Sequence, residues 1–286
     1  MPRGERAGRE EHGGGEPAPQ GVLLRFAPPL RFFLAARHRL SGEVRAPCDG
    51  VSTLGHLVEA AGVPLTEVGA LRTGGRADTH ALSHTGTHAA ARSVPARHRP
   101  EDGDTVDVTP VPRPQPLPQP LPGPEPAGPR FVLDVHLGAL ARRLRLVGVD
   151  AAYRNDAGDA ELVEEANAAR RVLLTRDRGL LRRRALWLGA YVRGQRPDGQ
   201  LADVLDRFAV PLAPWTRCPA CNGPLTAVPK REIADRLPPG TRRTYDDGFA
   251  RCASCDRLYW PGAHHARLAE LVERARRMSP QGVSDT

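Results

Sequence analysis

Residues 130–148, RFVLDVHLGALARRLRLVG, and residues 171–181, RVLLTRDRGLL, decide how the C-terminal half of this chain folds. Each begins with an apolar run short enough for one buried strand, and an aspartate follows each run. In the first stretch, apolar residues then recur at the spacing of one helix face: Leu137, Leu140, Leu144 and Val147. A buried strand followed by an amphipathic helix is typical of a parallel α/β unit.

The rest of residues 130–215 repeats this alternation of strands and helices. Further strands are predicted at AAY (151–153), RVLLT (171–175) and AYVRG (190–194), and further helices at DAELVEEANAAR (159–170) and DGQLADVLDRFAV (198–210). Strands that are apolar on both faces need helices on both sides. The segment therefore predicts an α/β domain built on a parallel sheet.

Residues 21–111 carry a different pattern, which predicts a small α+β domain. VLLRFAPPLRFFL (22–34) indicates an extended strand, GHLVEAAGV (55–63) a short amphipathic helix, and DGDTVDVTPV (102–111) a closing strand. Residues 79–98 interrupt this domain with a loop that is poor in large apolar residues. Its His80, His84 and His88 would align as metal ligands on a helix, but the Gly, Ser and Thr content disfavours that helix, so an ordinary loop is the preferred interpretation.

Two segments have the composition of unpacked chain. Residues 1–20 lack apolar periodicity and are predicted to be disordered. Residues 110–129 contain 10 prolines in 20 positions, which favours a polyproline II spacer, and we place the linker at 112–129. A ligand for a proline-recognition domain is the alternative interpretation of this composition.

Charge and hydropathy limit the classes of function. The formal net charge of +8 comes wholly from residues 111–286, which carry 28 basic and 20 acidic side chains. Such an excess is expected of a phosphate-binding surface, although an Arg-rich composition alone would also produce it. No apolar run has the length of a membrane span and no signal peptide is evident, so a cytoplasmic protein is expected.

Aspartates follow the predicted strands of the α/β domain. Asp134 ends FVLD and Asp177 follows VLLT, while Asp156 and Asp159 come after AAY. Ligands of open parallel sheets bind outside the carboxyl ends of the strands, so these carboxylates are expected to converge there. Oxygen ligands of this kind suit Mg²⁺ or Mn²⁺, which activates water in phosphodiester hydrolysis. Asp159 serves equally well as a helix N-cap, and Asp156 is better explained as a turn residue.

Arginines surround the acidic positions and are the candidates for RNA contacts. They are Arg142, Arg143 and Arg145 on the first helix, and Arg176, Arg178 and Arg182 after the second acidic strand, followed by Arg183 and Arg184. An acidic centre with a basic border suits a polyanionic substrate. Some of these side chains are expected only to solvate helix faces.

Four of the five cysteines form two Cys-x-x-Cys pairs: Cys218, Cys221, Cys252 and Cys255. Two such pairs in a cytosolic chain predict a closed Cys₄ zinc site, and a lone redox pair is the alternative. We place a zinc ribbon at 216–262, followed by a C-terminal helix and tail at 263–286. Tyr259 and Trp260 either stack on an RNA base or pack the ribbon onto the α/β core.

These motifs together resemble the Mut-seven C-terminal RNase family. The resemblance runs in order from 130 to about 275 through FVLDVHLGALARRLRLVG, NDAGDAELVEEA, RVLLTRDRGLL, QLADVLDRF, both Cys pairs and YWPGAHH. It implies a PIN-like nuclease fold with a zinc ribbon, metal-dependent RNA cleavage, and acidic site positions at Asp134, Asp159, Asp177 and Asp156. GVPLTEVGAL and EDGDTVDVTPV are similar to the ubiquitin-like β-grasp domain often joined to that nuclease.

The sequence hypothesis is a ribonuclease with structural Zn²⁺ and catalytic Mg²⁺ or Mn²⁺, with RNA as substrate and no membrane association. A non-catalytic RNA-binding adaptor is the first alternative, and it would use the same basic rim and ribbon. The second is a protein-interaction scaffold led by the ubiquitin-like domain. A buried acidic cluster favours the enzyme, since a pure binder of polyanions gains nothing from it.

Overall fold

The computed structural model describes residues 21–74, 92–118 and 128–278. The predicted disordered segment 1–20 and the histidines at 80, 84 and 88 lie outside these residues. The described chain forms two units. One comprises the residues up to Ala61 and from Ala70 to Val108, and the other comprises Gly62–Gly69 and the residues from Thr109 onward.

The first unit is built on a five-stranded sheet with the order β2-β1-β5-β3-β4. Its strands are β1 (Val22–Phe26), β2 (Glu43–Ala46), β3 (Val68–Gly74), β4 (Arg92–Val94) and β5 (Thr105–Pro110), and helix α1 spans Leu54–Ala60. β1 pairs antiparallel with β2 and parallel with β5. A hairpin, a helix and a returning central strand form the β-grasp arrangement that the resemblance implied.

The core of this unit follows from the alternation of its strands. Leu24 of β1 and Val106 of β5 are paired in register and both are buried, and Leu54 and Val58 of α1 are buried as well. The long first strand expected from the sequence ends at Phe26. Pro28 and Pro29 follow it and begin a 3-10 helix, because proline lacks the N–H that a ladder needs.

The second unit contains a four-stranded parallel sheet with the order β7-β6-β8-β9. The strands are β6 (Phe131–Leu133), β7 (Ala151–Tyr153), β8 (Val172–Thr175) and β9 (Gly189–Tyr191). The helices are α2 (Gly138–Leu146), α3 (Asp159–Ala168), α4 (Arg178–Leu181) and α5 (Pro197–Phe208). The predicted parallel sheet is confirmed.

Helices cover both faces of this sheet, as the apolar strands required. Phe131, Leu133 and Leu174 pack in one cluster with α2 and α5, and Val132 and Leu173 pack in another with α3. Alternate residues of each strand thus point to opposite helix layers.

The cysteine-bearing part of the second unit is a small antiparallel sheet of β10 (Leu225–Ala227), β11 (Ala250–Cys252) and β12 (Leu258–Tyr259). Between β10 and β11 the chain forms short helices α6 (Lys230–Ile233) and α7 (Pro239–Thr244). Ile233, Leu237 and Phe249 form a small buried cluster in this part of the chain. Helix α8 (His265–Met278) follows, and its Val272 and Ala275 are buried in the α/β core.

The described part of the proline-rich linker packs against the second unit. Arg113 pairs with Asp203 and Asp206 of α5 at 2.7 Å, and Leu117 packs against the core. The expectation of an unpacked spacer therefore does not hold for residues 112–118, while residues 119–127 lie outside the described chain. Among the described residues, no helix is both long enough and apolar enough to span a membrane.

Residues Gly62–Gly69 contribute a buried ion pair to the second unit. The carboxylate of Glu67 accepts hydrogen bonds from Arg207 Nη1 at 2.8 and 2.9 Å and from the backbone N–H of Tyr191 at 2.8 Å. Both side chains of the pair are at most 2% exposed. Each charge therefore depends on its partner for solvation.

Candidate active site and metal centre

The parallel sheet has a topological switch point between β6 and β8. The chain leaves β6 toward β7 on one side, whereas β8 and β9 lie on the other side of β6. Helix connections that diverge in this way leave a crevice at the carboxyl ends of the two strands, where ligands of such folds bind.

Asp134 lies at that point, directly after β6, and its side chain is buried. Thr175, the last residue of β8, donates its hydroxyl proton to Asp134 Oδ2 at 2.6 Å. The backbone N–H of Asp134 donates to the carbonyl of Leu174, which continues the ladder past the end of the strand. The register of β6 and β8 thus holds a carboxylate in a fixed position at the switch point.

Asp177 is joined to the same position through Thr175. Its backbone N–H donates to Thr175 Oγ1 at 2.9 Å. Its side chain caps α4, where Oδ1 accepts from the N–H groups of Gly179 and Leu180. Both capping bonds use Oδ1, so Oδ2 of Asp177 takes no part in the cap.

Asp159 and Asp156 are not drawn into the same cluster. Asp159 begins α3 behind its N-cap Gly158, and its carboxylate pairs with Arg183 at 3.3 Å on the surface. Asp156 lies exposed in the bend between β7 and α3. Across the described chain, the four cysteines are the only set of three or more His, Cys, Asp or Glu whose ligand atoms lie close enough for one ion. Among the described residues the four carboxylates therefore do not form one metal-binding cluster, and their role at the site stays a prediction.

Arg145 was predicted to contact RNA, but its side chain is buried. Its guanidinium donates to the carbonyls of Ala151, Pro219 and Ala220 at 2.8, 3.2 and 2.9 Å. Burial lowers the pKa of Arg145 below its usual value. These bonds join α2 to β7 and to the first Cys-x-x-Cys turn, which makes Arg145 structural and corrects its predicted role.

The remaining candidate arginines are more accessible. Arg142 is exposed on α2, and Arg143 pairs with Asp198 at 2.7 Å. Arg176 donates to Gln195, and Arg178 and Arg182 lie within and just after α4, beside Asp177. A basic border therefore does follow the acidic strand end.

The four cysteine sulfurs converge at the end of the small sheet. The Sγ atoms of Cys218 and Cys255 lie 3.7 Å apart, those of Cys221 and Cys252 lie 3.4 Å apart, and all four lie within 4.8 Å of one another. A tetrahedral site with metal–sulfur bonds of about 2.3 Å separates its sulfurs by about 3.8 Å. The sulfur arrangement suits one tetrahedral ion.

Contacts around the sulfurs hold the two Cys-x-x-Cys turns in place. The hydroxyl of Tyr259 lies 3.0 Å from Cys218 Sγ. Burial raises the pKa of the Cys218 thiol, but hydrogen bonds from Tyr259 and from backbone amides outweigh burial and lower the pKa to about 6. Gly223 lies so close to the second turn that a Cβ would come within 2.3 Å of Ser254 Oγ.

A polar network attaches the first Cys-x-x-Cys turn to the parallel sheet. Asn222 accepts from the N–H of Ala151 at 3.0 Å and donates to Asp150 at 2.7 Å, and Arg171 also donates to Asp150 at 2.6 Å. Burial raises the pKa of Asp150, but the bonds from Arg171 and Asn222 outweigh it and hold the pKa below its usual value. The metal centre is thus built onto the edge of the α/β core.

A hydrogen bond from Thr175 to the acidic cluster was possible from the sequence but not required by it, and Asn222 had no predicted role. Thr175 follows three apolar residues in a strand, where a β-branched residue needs no special explanation, so only the β6–β8 register shows its function. Asn222 follows Cys221 and has a φ of 72°, a conformation that Asn tolerates better than most residues. That position after a Cys pair is the signal that could have indicated it.

Comparison with protein families agrees with the resemblance seen in the sequence. The model of the Mut7-C RNAse domain matches residues 129–272, which is half of the chain, and the model of the Mut7-C ubiquitin matches residues 20–92. No curated protein and no solved structure matches the chain significantly. The matched ranges fall on the parallel-sheet unit with its cysteine centre and on the β-grasp segment. The chain therefore belongs to the Mut7-C RNAse domain family and carries a Mut7-C ubiquitin domain ahead of its RNAse domain.

Proposed function

We propose that this protein is a PIN-like, divalent-metal-dependent ribonuclease that hydrolyses RNA phosphodiester bonds at the carboxyl ends of β6 and β8. The observation that carries the proposal is the buried carboxylate of Asp134, which Thr175 holds at the switch point of the sheet. A buried carboxylate in a ligand-binding crevice is costly unless it is paired, so its retention there supports a function. Membership in an RNase domain family supports the same reaction class.

The residues present fit a hard cation held by few protein ligands. Mg²⁺ usually binds through one or two carboxylates and completes its shell with waters and substrate phosphates. Asp134 and Asp177 offer two carboxylates joined through Thr175, and the capping bonds leave Oδ2 of Asp177 outside the cap. These two residues would hold the ion. When bound, Mg²⁺ or Mn²⁺ activates water and stabilises the leaving oxygen.

The chain's own side chains supply position and charge in this proposal. Thr175 is a positioning residue, because its hydroxyl orients Asp134 and receives the N–H of Asp177. Five candidate side chains bind phosphates of the RNA strand: Arg142, Arg143, Arg176, Arg178 and Arg182. The carboxylate of Asp159 is paired with Arg183. A substrate phosphate would attract Arg183, and Asp159 could then serve as a further metal ligand.

The four cysteines are proposed to hold structural Zn²⁺. Four thiolates at tetrahedral spacing are the ligand set that zinc prefers, and a closed Cys₄ site leaves no open position for substrate. The ion would therefore stabilise the ribbon rather than react. We also propose a protein partner for the ubiquitin-like domain, on the basis of its family alone.

A non-catalytic RNA-binding adaptor is the second candidate function. The surface pair of Asp159 with Arg183 favours it, because this pair satisfies a carboxylate that a nuclease would use for metal. The adaptor would bind RNA through the same arginines without turnover.

Incubation of the purified full chain with labelled RNAs separates the two candidates. The proposed enzyme cleaves RNA in Mn²⁺ or Mg²⁺ and stops when EDTA is added. RNA that is bound yet remains intact at high protein concentration with either ion would support the adaptor.

A further inference from the structure

A cavity in the second unit is lined by residues of the cysteine-bearing sheet and of α8. It has a volume of about 690 Å³, which is in the range of small-molecule sites. The strands β10, β11 and β12 contribute Leu225, Ala250 and Tyr259 to its wall, and α8 contributes His265 and Leu268. Neither Asp134 nor Asp177 lines it.

Trp215, Tyr259 and Trp260 line this cavity together with His264 and His265. Trp215 is 39% exposed although it is a large apolar residue, and Leu268 beside it is equally exposed. The ring of His265 stacks on Trp215 with centroids 5.0 Å apart and an interplanar angle of 22°. Trp260 and Tyr259 complete the aromatic lining. An open, preformed stack of this kind can be extended by another flat ring.

A basic groove adjoins the aromatic cavity. This second cavity, of about 410 Å³, shares Leu146, Pro219, His264 and Leu268 with the first. Four arginines line it: Arg142, Arg143, Arg267 and Arg274. Asp198 is the only acidic residue in this lining. Asp198 pairs with Arg143 at 2.7 Å and lies 3.8 Å from Arg274. The groove therefore has a clear excess of positive charge.

We propose that the aromatic cavity binds an unpaired nucleobase of RNA while the adjoining arginines bind the phosphates of the same strand. Aromatic platforms next to a basic groove are the means by which proteins hold single strands, because every base has a face that stacks and every nucleotide has a phosphate. The proposal deepens the proposed ribonuclease function and rests on it for the identity of RNA as substrate. It restricts that substrate to single-stranded or locally unpaired RNA, since a paired base is not free to enter.

The position of the cavity gives it a role in holding the strand rather than in cleavage. Leu146, which lines both cavities, is the last residue of α2, whereas Asp134 lies before the first residue of that helix. Nine residues of α-helix span about 13 Å. A bound base would thus be anchored about one helix length from the proposed scissile bond.

Binding of a nuclease-resistant strand tests this inference without relying on turnover. The full chain is titrated in EDTA with a short 2′-O-methyl oligoribonucleotide, with the same strand in a duplex, and with an abasic strand of equal charge. We expect quenching of tryptophan fluorescence by the base-bearing single strand alone. Trp215→Leu should weaken that binding by roughly 5- to 150-fold, as expected for loss of one stacked base, and should leave binding of the abasic strand unchanged.

Matched variants separate stacking from charge and from folding. Trp187→Leu removes a tryptophan that lines neither cavity and should leave the affinity unchanged. Arg267→Ala should lower the salt slope of log K by about 0.7, whereas Arg231→Ala, an exposed arginine outside the groove, should not.

The inference is overturned if wild type and a folded Trp215→Leu protein bind the base-bearing strand with equal affinity. The cavity would then be better explained as a binding site for a protein partner. That result is distinct from failure of the ribonuclease proposal, which is measured by cleavage. Selective loss of base-bearing RNA binding in Trp215→Leu would support the subsite even if no cleavage were found.

Discussion

Arg145 and Arg142 lie three residues apart on α2, and the structure gives them opposite roles. We predict that Arg145→Leu destabilises the second unit, whereas Arg142→Ala leaves its stability unchanged. Arg145 is 3% exposed and donates to three carbonyls, while Arg142 is exposed. The pair is a matched test because each substitution removes one positive charge from the same helix.

The magnitude follows from the three carbonyls that Arg145→Leu leaves without a donor. Each buried carbonyl left unpaired costs about 1–3 kcal/mol, but the losses are not additive within one network, so we expect about 3 kcal/mol in total. In a unit of this size, each kcal/mol lowers Tm by about 2–4 °C, which gives a decrease of about 6–12 °C.

Thermal unfolding followed by circular dichroism measures this decrease, and amide hydrogen exchange locates it. Faster exchange is expected in Arg145→Leu at the N–H of Ala151, which bonds to Asn222, and at the N–H of Trp215, which bonds to Leu146 of α2. RNA affinity should fall in Arg142→Ala without loss of stability. An Arg145→Leu protein with wild-type Tm and weakened RNA binding would refute the structural role and restore the role predicted from sequence.

Three further substitutions test other parts of the structure. Cys221→Ser should reduce bound zinc and destabilise the ribbon, because metal-binding free energy is folding free energy in such a site; an unchanged zinc-to-protein ratio by elemental analysis would contradict it. Glu67→Gln leaves the buried Arg207 charge unpaired and should lower the free energy of unfolding by about 3–5 kcal/mol in urea titrations. Thr175→Val should reduce cleavage roughly 10- to 100-fold, because the hydroxyl orients Asp134, and should lower the free energy of unfolding by about 1–3 kcal/mol, because Asp134 and the N–H of Asp177 lose a hydrogen-bond partner. Thr175→Ser should recover most of both.

The α/β fold could be predicted from the sequence because its strands are buried on both faces. The runs FVL and VLLT are buried at every position, and FVL leads into α2, whose apolar residues recur at helical spacing. Short edge strands of the first unit gave no such signal. β2 is exposed at two of its four positions and β4 at two of its three, so their composition resembles that of loops.

The candidate site was predicted less completely than the fold. Aspartates at strand ends were identified because their position in the sequence fixes which edge of the sheet they occupy. Their side-chain partners depend on contacts between distant residues: Thr175 reaches Asp134 across the β6–β8 register, and Arg183 pairs with Asp159. Arg145 donates to carbonyls of residues 219 and 220, which are distant in sequence, and a helical pattern cannot reveal such contacts.

Cleavage by Asp134→Asn protein tests the proposed active site most directly. The amide keeps the size of the side chain and an acceptor for Thr175 but removes the charge that a divalent ion requires. We predict that single-turnover RNA cleavage in Mn²⁺ falls by orders of magnitude, while circular dichroism and RNA affinity in EDTA stay at wild-type levels. Asp235→Asn, which removes an exposed carboxylate outside the site, should cleave normally. Wild-type cleavage by Asp134→Asn would show that the carboxylate at the switch point is not the catalytic group.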